Sequence, residues 1–243
     1  VTQEQSSRGK PLEKPRGKRV TKYKGAEEES MSKLVAIYPR NDNQRAYVDA
    51  LKTSNQVIAL GPSGTGKTWI PVTFACNLLL ARKIERIILT RPAVSVGKSL
   101  GSLPGDMGEK YGPWLSPLLT TMEEQLGKNK VDTDIKNGNI RMAPLEYMRG
   151  SSFNDAFVIC DEAQNLTVEE FKMLATRIGE NCTFVLSGDI RQSDIKQQSG
   201  LSKAIHLAKK YNMSIPVIEF GVDDIVRSDI CKEWITAFYS ENL

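Results

Sequence analysis

The chain has 243 residues, 40% hydrophobic and 26% charged, with a net charge of +4. That balance is globular, and the length is enough to bury a core without disulfides or structural metal. No apolar run approaches the ~18 residues of a membrane span and no signal-peptide pattern opens the chain, so a cytoplasmic protein with no membrane partner is expected. The four cysteines (Cys76, Cys160, Cys182, Cys231) form no CxxC pair and the single histidine is His206, which argues against a zinc site and leaves the thiols as reduced core residues.

The charge is unevenly placed. Residues 1–24 carry eight Lys or Arg against two Glu, a local +6, so the remainder of the chain is at −2. Residues 1–30 are poor in large apolar groups and contain Gly9, Pro11, Pro15, Gly17 and Gly25. Such a stretch cannot bury enough surface to offset its ordering entropy, and a disordered basic arm is expected there. It reads either as a solvated tail or as an arm drawn to nucleic-acid phosphates.

From residue 31 to 243 a single domain is expected. Strands are predicted over 57–60, 84–90, 140–143, 156–160, 183–187 and 217–220. Helices are predicted over 69–81, 122–130, 168–177, 201–211 and 229–239. Short apolar strands alternating with helices argue for an α/β fold with a mainly parallel sheet, covered by helices on both faces. Pro71 lies one turn into the 69–81 helix and removes an N–H, which predicts a local irregularity. The stretch 92–153 is rich in Gly and Pro and is too long for a plain connection; it is read as an insertion that is functional or holds further elements.

The chemistry sits at strand ends. Gly61, Pro62, Ser63, Gly64, Thr65, Gly66, Lys67 and Thr68 match G-x-x-x-x-G-K-[ST] between a strand and a helix, the context a phosphate-binding P-loop requires. Backbone N–H groups and the helix N-terminus would cradle the phosphates of ATP. Lys67 would reach the β- and γ-phosphates and Thr68 would bind Mg²⁺. Asp161 follows the apolar run 156–160 and would hold Mg²⁺, with Glu162 next to it as general base for the attacking water. Gln192, after the strand end Ser187-Gly-Asp189, is placed to sense the γ-phosphate. Gln44, upstream of the P-loop, offers an amide that matches an adenine edge. The adjacent Glu162 favours hydrolysis over transfer to a second substrate, which disfavours a small-molecule kinase.

These segments resemble the PhoH family, phosphate-starvation-inducible ATPases related to the superfamily-1 helicase core. The residues carrying the resemblance are GPSGTGKT (61–68), LTRPAVSVGKSLGSLPGDMGEK (89–110), MRGSSFNDAFVICDEAQN (148–165), MLATRIG (173–179), SGDIRQSD (187–194) and DDIVRSD (223–229). The chain departs from the family pattern at Ser151, where Arg is usual, and at Ser228, where His is common. The resemblance implies a RecA-like domain, ATP hydrolysis with Mg²⁺, and a link to RNA or single-stranded nucleic acid. Homo-oligomeric rings, hexameric by family, are also implied. No KH or PIN domain is expected, and so no ribonuclease activity. With one P-loop per chain, the arginine that neutralises transition-state charge would come from a neighbouring subunit, with Arg177 and Arg227 as candidates; either could instead act in cis or be an ordinary ion-paired side chain. Lys98 and Lys110 are candidate phosphate contacts for a nucleic acid. The expected function is an ATP-driven translocase or helicase, the alternative an ATPase switch that remodels a partner without unwinding.

Overall fold

The computed structural model describes residues 34–92, 112–148, 150, 152–195 and 198–241. The basic arm, the first part of the insertion, Lys98, Lys110 and Ser151 lie outside these residues. Among the described residues, six strands form one fully parallel sheet in the order β3-β2-β4-β5-β1-β6. The strands are β1 (Gln56–Leu60), β2 (Arg86–Thr90), β3 (Ile140–Met142), β4 (Ala156–Cys160), β5 (Cys182–Gly188) and β6 (Val217–Glu219). With β3 set aside as an added edge strand, this is the strand order of a RecA-like domain.

Both faces of the sheet are buried, and side-chain alternation sorts each strand between two cores. Val57, Ala59, Ile87, Leu89, Phe157, Ile159 and Val185 point to one face. Ile58, Leu60, Ile88, Val158, Cys160, Phe184 and Leu186 point to the other. The first face is covered by α1 (Asp42–Thr53), α2 (Trp69–Leu80), α3 (Ser116–Leu126) and α4 (Lys128–Asn137). The second is covered by α5 (Val168–Ala175) and α6 (Gly200–Lys210). A last helix, α7 (Asp229–Ser240), buries no residue and leaves Ile230, Trp234 and Phe238 exposed.

Local chemistry sets the helix ends. The Asn41 side chain caps α1 by accepting from Gln44 N at 2.8 Å. Thr167 and Glu170 form a reciprocal capping box on α5. Where the sequence predicts one helix over 122–130, the chain forms two, separated at Gly127 with φ 81°. The insertion therefore holds α3, α4 and β3, and β3 pairs with β2 through Ile87–Ile140 to Leu89–Met142. The α1 helix is an addition to the predicted elements; its Tyr47, Val48 and Leu51 face the first core.

Pro71 has the expected effect. Ile70 N donates to Gly66 O at 3.0 Å and Val72 N to Thr68 O at 3.3 Å. Proline has no N–H to make the bond between them. The carbonyl left over, Lys67 O, accepts from the buried Tyr47 hydroxyl at 3.2 Å. Helix α1 thus braces the P-loop at the point where its own helix is defective, and burial raises the Tyr47 hydroxyl well above its ordinary pKa, keeping it a donor.

Cys76, Cys160 and Cys182 are buried free thiols, and burial pushes Cys76 up to about 12. Cys231 is half-buried on α7 and His206 is exposed on α6. No helix of the described residues is long and apolar enough to cross a membrane.

Candidate active site

Parallel pairing brings the C-terminal ends of β1, β4 and β5 to one edge of the sheet. The pairing of Leu60 with Gly188 and of Cys160 with Leu186 sets the loops after these strands side by side. A cleft of about 730 Å³ opens there, lined by the P-loop, Gln44, Arg91, Asp161, Glu162, Asp189, Gln192 and Arg227. An edge of this kind is where open α/β sheets bind ligands.

The P-loop leaves Leu60 and is tied back by Gly61 N donating to Gly188 O at 3.1 Å. Its turn is held from inside by Thr65, fully buried, whose hydroxyl donates to Pro62 O at 3.1 Å. Lys67 Nζ donates to the same carbonyl at 3.0 Å. Burial lowers the Lys67 pKa, opposed by the charges of Asp161, Glu162 and Asp189. This ammonium is poorly hydrated and bonded to a single neutral carbonyl, so an incoming anion gains much by approaching it.

Asp161 is buried, and its Oδ1 accepts from the Thr68 hydroxyl and the Ser187 hydroxyl, each at 3.0 Å. Burial raises its pKa, with Glu162 adding to the rise. Arg91 and the two hydroxyl bonds oppose it. Asp189 is also buried; its Oδ1 accepts from Arg191 N at 3.0 Å and its Oδ2 has no hydrogen-bond partner among the described residues. A hydroxyl against a buried carboxylate, with a second carboxylate oxygen unbonded nearby, is an oxygen-only donor set that suits Mg²⁺. No cluster of three or more His, Cys, Asp or Glu forms a closed metal cage among the described residues.

Glu162 takes a left-handed conformation, φ 50° and ψ 39°, at the turn after β4. Its Oε1 accepts from Arg91 Nη2 at 2.9 Å and its Oε2 from Gln164 Nε2 at 2.6 Å. Gln164 is buried, and its Oε1 accepts from Asp189 N at 3.1 Å. A Cβ at Gly188 would collide with that amide oxygen, so the strand end needs glycine. The neighbouring Asn165 pairs with Asp194 in both directions, Nδ2 to Oδ2 at 3.2 Å and Oδ1 from Asp194 N at 2.8 Å. The loop after β4 is thereby locked to the loop after β5, which carries Gln192 into the cleft.

Two predicted residues have fuller surroundings than the sequence could supply. Gln44 is buried; its Nε2 donates to Thr65 O at 2.9 Å and its Oε1 accepts from Arg40 N at 2.9 Å. The two ends of the amide tie the P-loop to the start of α1, and each keeps one further hydrogen-bonding site, a second N–H and a second lone pair. Arg227 lies over the chain's own P-loop, where a Cβ at Gly64 would come within 2.7 Å of its Cγ, and Val226 N donates to Gly64 O at 2.9 Å. Arg177 is elsewhere. Its carbonyl accepts from Phe153 N at 2.7 Å, just before β4 begins, at the edge of the sheet opposite the cleft. Five strand residues at about 3.3 Å each separate the two edges, so Arg177 does not reach the cleft of its own chain. Its Nε is buried with no hydrogen-bond partner among the described residues.

Arg91, Gln164 and Ser187 complete the site and are missing from the residues assigned roles from sequence. A signal existed for Arg91. It follows an apolar strand as Asp161 does, and the pairing of Thr90 with Cys160 makes the two residues neighbours.

The sequence model of the family described as PhoH-like protein matches residues 36–239. The PhoH-like protein of Bacillus subtilis (strain 168) is 41% identical over 209 residues, which are 85% of this chain and 65% of the relative. Protein PhoH of Escherichia coli (strain K12) is 38% identical over 206 residues, 83% of this chain and 58% of the relative. The chain therefore spans about three-fifths of the length of these curated relatives. Among solved structures, the Pif1 helicase from Candida albicans aligns with a TM-score of 0.45 and 12% identity, covering 86% of this chain and 44% of that one.

Proposed function

The chain belongs to the PhoH-like protein family, and from that premise we propose that it is a Mg²⁺-dependent ATP hydrolase whose turnover is coupled to single-stranded RNA or DNA. The observation that carries the hydrolase reading is the 3.0 Å bond from Thr68 to Asp161, which joins the P-loop to the β4 end with Glu162 as the next residue.

In this reading the P-loop N–H groups and the α2 N-terminus hold the triphosphate. Lys67 leaves Pro62 O for the β- and γ-phosphates. Thr68 and Asp161 hold Mg²⁺, which when bound supplies charge neutralisation at the phosphates. Glu162 accepts a proton from the water it orients, and Gln192 bonds that water or the γ-phosphate. Arg227, lying over Gly64, contacts phosphate in cis.

Transition-state charge calls for a further cation, worth ~10³–10⁵ in rate where an arginine supplies it. The position of Arg177 favours a neighbour's site over its own. A head-to-tail ring joins two different surfaces of the subunit, which allows the N-terminal sheet edge of one to meet the cleft of the next. A homo-oligomeric ring, hexameric by family resemblance, is therefore part of the proposal. So is residence in the cytoplasm.

Mg²⁺-dependent ATP turnover with and without single-stranded RNA or DNA tests the reading. Stimulation by either strand is the expected result; turnover indifferent to both would sever the nucleic-acid link. Strand-displacement assays then separate a helicase from an ATPase switch that only binds or remodels its partner.

A further inference from the structure

We infer that Arg91 is a restraining residue that holds the Glu162 carboxylate out of service, so that hydrolysis requires the Arg91–Glu162 pair to part. The inference rests on the assignment of Glu162 as the water-activating base.

Both Glu162 oxygens are engaged, one by Arg91 at 2.9 Å and one by Gln164 at 2.6 Å. The two bonds differ in kind. Gln164 is neutral, buried and tied to Asp189 N, so it orients the carboxylate and leaves its charge intact. Arg91 brings a full positive charge. A bond to a charged guanidinium is about twice as strong as one to a neutral amide, so Arg91 is the stronger hold on where the carboxylate points, and Glu162 turns toward a water in the cleft only when that hold is released.

Arg91 is also anchored on its far side. Nη1 donates to Trp114 O at 3.2 Å, and the Trp114 indole N–H donates to Pro92 O at 3.2 Å. The arginine is thus clasped between Glu162 and the turn Pro113–Leu115 that leads into α3. A restraint that can be released also needs an alternative place for the side chain. Arg91 lines a second groove of about 450 Å³, bounded by Pro113, Trp114, Ser116, Pro117 and Thr120, as well as the nucleotide cleft. The guanidinium can turn into that groove while Thr90, the residue before it, stays paired with Cys160 at the end of β2. Displacement of the Pro113–Leu115 turn moves one anchor of the clasp, which couples events on the α3 side of the molecule to the state of Glu162.

The test is steady-state ATP turnover of Arg91→Met and Arg91→Gln, each shown to be folded by its melting transition and by binding of a fluorescent ATP analogue. The expected result is a basal kcat raised by about tenfold, equivalent to ~1.4 kcal/mol, with KM for ATP unchanged. The double substitution Arg91→Met with Glu162→Gln is expected to be inactive, showing that the gain passes through Glu162. A kcat that falls or stays level in both single variants overturns the restraint, and a fall would make Arg91 a cation that the reaction needs. If Glu162→Gln alone hydrolyses ATP at the parental rate, the base assignment itself fails. If it is inactive while the Arg91 variants show no gain, only the restraint fails.

Discussion

The two edges of the sheet are built differently. At the C-terminal edge, alongside bonds to backbone, ionisable and hydroxyl side chains bond across strands to one another: Thr68 and Ser187 to Asp161, Arg91 and Gln164 to Glu162, Asn165 to Asp194. At the N-terminal edge the bonds between loops come from amide side chains, Asn154 Oδ1 accepting from Glu180 N at 3.1 Å and Asn139 Nδ2 donating to Glu85 O at 3.0 Å on backbone, and Asn181 Nδ2 donating to Asp155 Oδ1 at 2.8 Å. Backbone partners fix loops in one arrangement. Hydroxyls, carboxylates and a lysine that already hold weak or neutral partners can exchange them for a ligand. The contrast assigns chemistry to one edge and shape to the other, with Arg177 as the residue on the structural edge that still carries a chemical assignment.

The largest test of this division is Lys67→Ala. It is expected to remove ATP turnover and weaken nucleotide binding, by about 10²–10³-fold or more in rate, as read by phosphate release and analogue binding; normal turnover would place the chemistry outside the C-terminal edge. Next, the two arginines can be set against each other. Arg227→Ala is expected to weaken nucleotide binding, whereas Arg177→Ala should leave binding intact and lower turnover by ~10³-fold. Mixing inactive Arg177→Ala and Lys67→Ala subunits should restore activity where one sound cleft meets one sound arginine. If Arg177→Ala turns over normally, the N-terminal edge is structural throughout.

A smaller effect sharpens the picture within the cleft. Gln164→Ala should leave ATP affinity nearly unchanged and reduce kcat by about a hundredfold, because Glu162 loses the contact that orients it. An equal change in binding would instead make Gln164 part of the P-loop's support.

The smallest expected effect is on stability. Burial raises the Asp161 pKa in the fold. The contribution of this one group to the stability of the nucleotide-free protein is therefore fully present below the ordinary carboxyl range and is lost as pH rises through the raised value. Asp161→Asn keeps an oxygen for Thr68 and Ser187 without the buried charge. It should raise the melting temperature of the nucleotide-free protein at pH 7 by about 2–4 °C, the equivalent of ~1 kcal/mol, and flatten its pH dependence. A lower melting temperature would mean that the charge is stabilised by contacts beyond those two hydroxyls.

Much of the fold and the inner site was legible from sequence because the informative residues are contiguous with strands. Apolar runs mark β1, β4 and β5, and Gly61–Thr68, Asp161–Glu162 and Ser187–Asp189 follow directly on them. The parts that were not legible depend on strand order or on long-range contact. Arg91 and Glu162 are 71 residues apart and meet because β2 lies beside β4. The engagement of Gln44 with Thr65 O depends on α1, a helix whose Asn41 cap and inward Tyr47, Val48 and Leu51 were present in the sequence but whose role appears only once the P-loop carbonyls are counted. The place of Arg177 at the far edge likewise follows from the direction of β4 and β5, which no local pattern gives.

The central claim is that Glu162 activates water in a cleft that binds ATP through Lys67, Thr68 and Asp161. Glu162→Gln tests it most directly, in one preparation assayed for Mg²⁺-dependent analogue binding and for phosphate release. The account predicts binding at the parental level with turnover reduced by at least about 10²-fold; parental turnover in that variant would contradict it.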